Sequence, residues 1–133
     1  MKLERTVLVE NTEYSGKAPS GKLLNGGVFR YCRFASFNEG GHVDAGFLHC
    51  TFEGLDWYWT LFNGSVFVGC TFTQCKFRGV SFPDCIFVEC RFDNCQFLED
   101  NLKGTCTAEG ARVYASTATN CVGEEVLFVK GAL

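Results

Sequence analysis

The sequence predicts an all-β solenoid, a single domain wound from flat segments of five residues. Three observations predict it. Large apolar residues recur at every fifth position: Phe47, Phe52, Trp57, Phe62, Phe67, Phe72, Phe77, Phe82, Phe87, Phe92, Phe97 and Leu102. Smaller residues stand two places before them, at Ala45, Cys50, Leu55, Thr60, Ser65, Cys70, Cys75, Val80, Cys85, Cys90 and Cys95. Gly54, Gly64, Gly69, Gly79 and Gly104 follow two places after, where a tight corner takes positive φ without steric cost in glycine. A period of five fits neither the helical repeat nor strand alternation. It fits a chain that turns a corner every five residues and buries one large and one smaller side chain between corners.

Frame changes divide residues 1–133 into three blocks of that one domain. Residues 1–34 form an N-terminal cap and irregular repeats, with large positions at Val9, Tyr14, Pro19, Leu24, Phe29 and Phe34. Thr6–Glu10 reads there equally as a poor first repeat or as a strand capping the first coil. Residues 35–104 are the regular repeats, in phase from Phe37 to Leu102. His42, flanked by Gly40 and Gly41, is the one poor core position, and predicts a bulged or looped corner. A one-residue insertion near Thr105 opens the degenerate block 105–133. Its segments are Cys106-Thr-Ala108, Ala111-Arg-Val113, Ser116-Thr-Ala118, Cys121-Val-Gly123, Val126-Leu-Phe128 and Gly131-Ala-Leu133.

Composition excludes several classes. With 47% hydrophobic and 15% aromatic residues the chain has the means to fold. Its apolar runs are a few residues long, far short of a membrane span. The start, Met1-Lys2-Leu3-Glu4-Arg5, lacks the apolar core of a secretory signal. Nine cysteines, an odd number spaced on the core lattice, read as reduced, buried small hydrophobes, and so as a cytoplasmic protein. Net charge is −3: residues 1–34 carry six basic and three acidic groups, residues 35–102 three basic and nine acidic. No basic patch calls for direct nucleic-acid contact.

The segments Cys70-Thr-Phe72-Thr-Gln74, Cys75-Lys-Phe77-Arg-Gly79, Cys85-Ile-Phe87-Val-Glu89, Cys90-Arg-Phe92-Asp-Asn94 and Cys95-Gln-Phe97-Leu-Glu99 resemble the pentapeptide repeat proteins, strongly over residues 43–104. The resemblance implies a right-handed quadrilateral β-helix with four repeats per coil, here about five to six coils. Residues twenty apart should then stack, giving core ladders Phe47-Phe67-Phe87, Phe52-Phe72-Phe92, Trp57-Phe77-Phe97 and Phe62-Phe82-Leu102, with thiol ladders Cys50-Cys70-Cys90 and Cys75-Cys95.

The same stacking sorts the outward residues into faces. One carries Leu48, Val66, Val68, Ile86 and Val88, an unusually apolar patch for a solvent-facing side. It reads equally as β-propensity or as a contact surface. Another carries Tyr58, Trp59 and Arg78 beside Asp56, Lys76 and Leu98. Exposed Trp, Tyr and Arg are enriched at interfaces, and packing of Tyr58 and Trp59 over the loop at Gly40–His42 is the alternative. No catalytic residues, metal ligands or cofactor site stand out. His42 and His49 have no nucleophile partner on the lattice, inward cysteines at spacing five match no zinc motif, and phosphate-cradling loops are absent. Asp100, at a small inner position, marks the end of regular packing.

The expectation is therefore a non-enzymatic rod that binds a protein partner, as an adaptor, inhibitor or immunity-type protein, and not a membrane. The resemblance adds a second reading, a DNA mimic that protects a type II topoisomerase such as gyrase, as quinolone-resistance members do. A structural component of an assembly is a third. Because an uncovered last coil exposes hydrogen-bonding edges, Val126, Leu127, Phe128 and Leu133 are expected to form the end of a homodimer.

Overall fold

The computed structural model describes residues 7–128. All strand pairing is parallel, and each pair joins one coil to the next. The first side stacks Val7–Glu10, Asn25–Arg30, His42–Leu48, Val66–Val68, Ile86–Val88 and Arg112–Tyr114, with Leu61–Phe62 attached to the start of His42–Leu48. The second stacks Glu13–Ser15, Arg33–Ala35, Thr51–Glu53, Thr71–Thr73, Arg91–Asp93 and Thr117–Thr119. The third stacks Asn38–Glu39, Asp56–Tyr58, Lys76–Arg78 and Gln96–Leu98. The fourth is held by the pairs His42↔Leu61, Leu61↔Ser81 and Ser81↔Thr107. The product is a four-sided β-solenoid of about five turns.

Where the lattice is unbroken, the register is twenty residues: Phe47↔Phe67↔Phe87 and Phe52↔Phe72↔Phe92. The rings stack within 2–10° of parallel along each side, for example Phe52–Phe72 and Phe72–Phe92 at 4.6 Å, and meet edge-on between sides. Each buried phenylalanine removes enough apolar surface from water to contribute about 1.5–3 kcal/mol before entropy.

The smaller inward residues do more than fill space. All nine cysteines are free. The Cys50, Cys70 and Cys90 thiols donate to the carbonyls of Phe29, Phe47 and Phe67 at 3.3 Å, and Cys75, Cys85 and Cys95 reach Phe52, Phe62 and Phe72 likewise. The hydroxyl of Ser65, at the same lattice position, donates to the Val43 carbonyl at 3.0 Å. Where this position holds a thiol or hydroxyl, its hydrogen goes to a carbonyl of the preceding coil, which the spacing alone did not reveal; Ala45, Leu55 and Val80 fill the same position without one.

Four departures from the lattice correct the sequence reading. First, the second coil is shorter, with Val28↔Gly46 and Asn38↔Asp56 eighteen residues apart. Phe37 therefore faces Leu55 at the small inward position and does not start the large series; its carbonyl accepts from Asp56 N. Val43, and not His42, is buried in the core, and the corner at Gly40–Gly41 is irregular, as the glycines implied. Second, Val7–Glu10 is a rung of the first sheet, and a one-turn helix, Gly21–Leu24, capped by the Ser20 hydroxyl, completes the first coil. Third, the insertion near Thr105 is six residues, since Phe87 pairs with Val113 and Phe92 with Ala118, twenty-six apart. Leu102 is consequently 77% exposed in a loop and leaves the Phe62–Phe82 ladder. Fourth, the last coil is partly covered. A 3-10 turn, Glu124–Val126, folds under the third side, Leu127 is 7% exposed, and Phe128 meets Phe92 edge-on at 5.8 Å. Val126, Leu127 and Phe128 are thus the cover and not uncovered surface; Leu133 lies outside the described residues.

Candidate partner-binding surface

The outer face of the first sheet holds two columns of side chains, because alternate residues of a strand point the same way. Val28, Gly46, Val66 and Ile86 form one column; Arg30, Leu48, Val68 and Val88 form the other. The register brings Leu48, Val66, Val68, Ile86 and Val88 together as expected, and adds Val28, which the shortened coil had hidden. All six are half-buried by their neighbours on adjacent rungs. The last rung ends the apolar run with Arg112 and Tyr114.

The corner beside this face is aromatic at its N-terminal end. Tyr31 and His49 both take positive φ, 54° and 53°, and their rings stack at 5.4 Å and 14°. The Arg30 guanidinium lies 5.7 Å over the Tyr31 ring while pairing with Glu10. The imidazole continues over Gly69, where a Cβ would come within 2.5 Å of His49 Nδ1. Bulky residues at positive φ are strained, so this ledge is held by its stacking. Sequence reasoning missed it, because Tyr31 and His49 become neighbours only through the eighteen-residue coil.

On the third side, Tyr58, Trp59 and Arg78 are adjacent but engaged locally. Arg78 Nε lies 3.5 Å from Asp56 Oδ1. The Trp59 indole N–H donates to Asp100 Oδ2 at 2.6 Å, and the Tyr58 hydroxyl donates to Asn101 Oδ1 at 2.7 Å while accepting from Asn101 N. The partner of this aromatic pair is thus the inserted loop, forty-odd residues on, and not the Gly40–His42 corner alone. Trp59 is 51% exposed, whereas Tyr58 is half-buried. Asp100 sits outside the core; the amides of Gly104 and Leu102 and the indole of Trp59 hold its carboxyl below the usual aspartate range. Gly79 and Gly104 leave room for that carboxylate, which a Cβ at either would meet within about 2.6 Å.

Charge follows the sides. On the second sheet Arg33 bridges Glu13 and Glu53, and Arg91 holds Asp93; on the third, Arg78 holds Asp56. Around the first sheet, Asp44 and Asp84 on one corner and Glu89 on the other make no ion pair among the described residues. His42 is tied to Asn25. No cluster of three metal-ligating side chains occurs among the described residues, and none of their helices is long and apolar enough to cross a membrane.

Residues 47–99 match the family model described as pentapeptide repeats (9 copies). No curated protein matches the sequence. Among solved structures, the chain is similar to two trypsin-treated variants of QnrB1, a plasmid-mediated fluoroquinolone resistance protein. One match has 11% identity and a TM-score of 0.41, covering 87% of this chain and 70% of the other. The second has 13% identity and a TM-score of 0.25, covering 84% and 87%.

Proposed function

We propose that the protein is a non-enzymatic rod whose outer first-sheet face binds a protein partner, and that two copies pair through the C-terminal coil. The observation that carries the binding reading is the pair of apolar columns, Val28, Val66, Ile86 and Leu48, Val68, Val88, on one side of a solenoid whose second side is threonine, arginine and carboxylate. β-propensity is met equally by threonine, as on the second side; the aliphatic branched residues concentrate on the first. Nine free thiols, most donating inward, support a reducing compartment, the cytoplasm. Duplex mimicry draws less support, because five carboxylates, Glu10, Glu13, Glu53, Asp56 and Asp93, are matched by arginines and cannot present a phosphate-like row.

The test is affinity capture from the native cytoplasm with three folded baits: the parent chain, Val68→Asp and Trp59→Ala. A partner retained by the parent and by Trp59→Ala but lost by Val68→Asp supports the reading. A partner set indifferent to Val68→Asp overturns it. Protection of gyrase supercoiling from a quinolone by added protein would favour the mimic instead.

A further inference from the structure

Resting on the reading that the first-sheet face is the binding surface, the geometry points to a specific kind of occupant. It is an amphipathic helix of about three turns, apolar on one side with basic flanks, lying lengthwise along the solenoid.

Spacing sets the shape. Successive rungs of a sheet are about 4.8 Å apart, so the columns Val28-Gly46-Val66-Ile86 and Leu48-Val68-Val88 present an apolar side chain at nearly every rung. A helix advances about 5.4 Å per turn, and its i, i+3, i+7 ridge drifts only about 0.6 Å per rung against them. An extended strand lying the same way places same-face residues about 6.6 Å apart and falls out of step within two rungs. The ridge lies between the two columns, and Gly46 leaves the gap of one missing side chain beside it.

Size excludes the other obvious occupant. Four rungs by two columns make a patch of roughly 15 by 10 Å. A stable face-to-face dimer needs about 800 Å² from each partner, several times what this patch offers, so a second copy does not account for it. Three helical turns, about 16 Å long, match it.

Charge sets the flanks. Asp44 and Asp84 line one edge and Glu89 the other, and none has an arginine or lysine partner among the described residues. Arg30 is tied to Glu10 at one end, Arg112 closes the other, and His49 lies stacked between Tyr31 and Gly69. Carboxylates left open beside the apolar columns complement lysine or arginine on both shoulders of a bound helix.

Two synthetic 14-residue amphipathic helices test this, identical except that one carries lysine and the other glutamate on the polar side. Each is titrated into the full chain and followed by backbone amide shifts. Binding of the Leu/Lys peptide, with shifts confined to the first sheet and abolished by Val68→Asp, is the expected result. Asp84→Lys with Glu89→Lys should weaken that peptide roughly tenfold and make the Leu/Glu peptide the better ligand. These are exposed or outward positions, and unchanged circular dichroism and melting verify the fold. Equal binding of both peptides, shifts elsewhere, or no binding of either overturns the proposal. If neither peptide binds while Val68→Asp still loses the cellular partner, the face remains a binding surface and only the helical occupant fails.

Discussion

Asp100 stands where the lattice asks for a small inward side chain, and its charge takes the chain outward instead. A carboxylate buried among phenylalanine rings would cost several kcal/mol. On the surface it collects three donors, Trp59 Nε1, Leu102 N and Gly104 N, which pin the inserted loop. The prediction is local: Asp100→Ala should speed trypsin cleavage after Lys103 several-fold without moving the melting curve of the coils, and Trp59→Phe should do so less, since the Tyr58–Asn101 bonds remain. The pH dependence has a definite sign. The folded pKa is depressed, so the pinning is complete above the ordinary aspartate value, about 3.9, and is lost as pH falls through the folded value. The Trp59 indole N–H resonance should therefore move only below about pH 4; movement centred at or above that pH would contradict the assignment. Trp59 was legible as a residue outside the core, but its partner was not, because the lattice contains no information about where an out-of-phase loop returns.

At the scale of the rung, stability is a sum of neighbouring contacts, and a lost ring is felt by two coils. Phe72 stacks on Phe52 and Phe92 at 4.6 Å each. Phe72→Ala should cost about 3–5 kcal/mol by urea denaturation, and Phe72→Leu markedly less, because a cavity between stacked rings cannot collapse while the backbone ladder fixes their spacing. The thiols predict an alkaline limit. Burial pushes the Cys85 thiol up to about 12, and pushes Cys70, Cys95 and Cys106 up as well, the stacked thiols being first among the causes for Cys70 and Cys95. A raised folded pKa means the contribution is intact below the unfolded value, about 8.5, and declines above it, by about 1.4 kcal/mol per pH unit for each such thiol. The urea midpoint should fall steadily between pH 8.5 and 10.5, and Cys85→Ala should flatten that slope; a midpoint constant over the range would refute the buried-thiol account. The five-residue alternation made these ladders readable from Phe47 to Phe97, since large and small positions there follow one phase. It misassigned Phe37 and Leu102 because a period of five does not say which of two inward positions an apolar residue takes, nor how many residues a coil has lost or gained. The apolar columns were readable by the same counting, while the Tyr31–His49 ledge needed the length of a coil that breaks the count.

At the scale of the whole solenoid, the ends decide what the rod can join. The 3-10 turn and Phe128 cover the last coil at the third side and near Phe92. The strands Arg112–Tyr114 and Thr117–Thr119, however, pair with no further strand among the described residues. Open parallel edges over a core of Val113, Ala118 and Cys121 favour continuation of the stack by another chain. Small side chains at those positions let two ends approach more closely than stacked phenylalanines would. Light scattering at micromolar concentration should give twice the 14.8 kDa chain mass, dissociating on dilution. Val126→Asp should shift the balance toward the single chain, because its half-buried side chain borders the end, while Trp59→Ala, on the flank, should leave it unchanged. A single chain at every concentration would show that the 3-10 cover suffices by itself. The first-sheet face would then be the surface through which the rod meets other proteins.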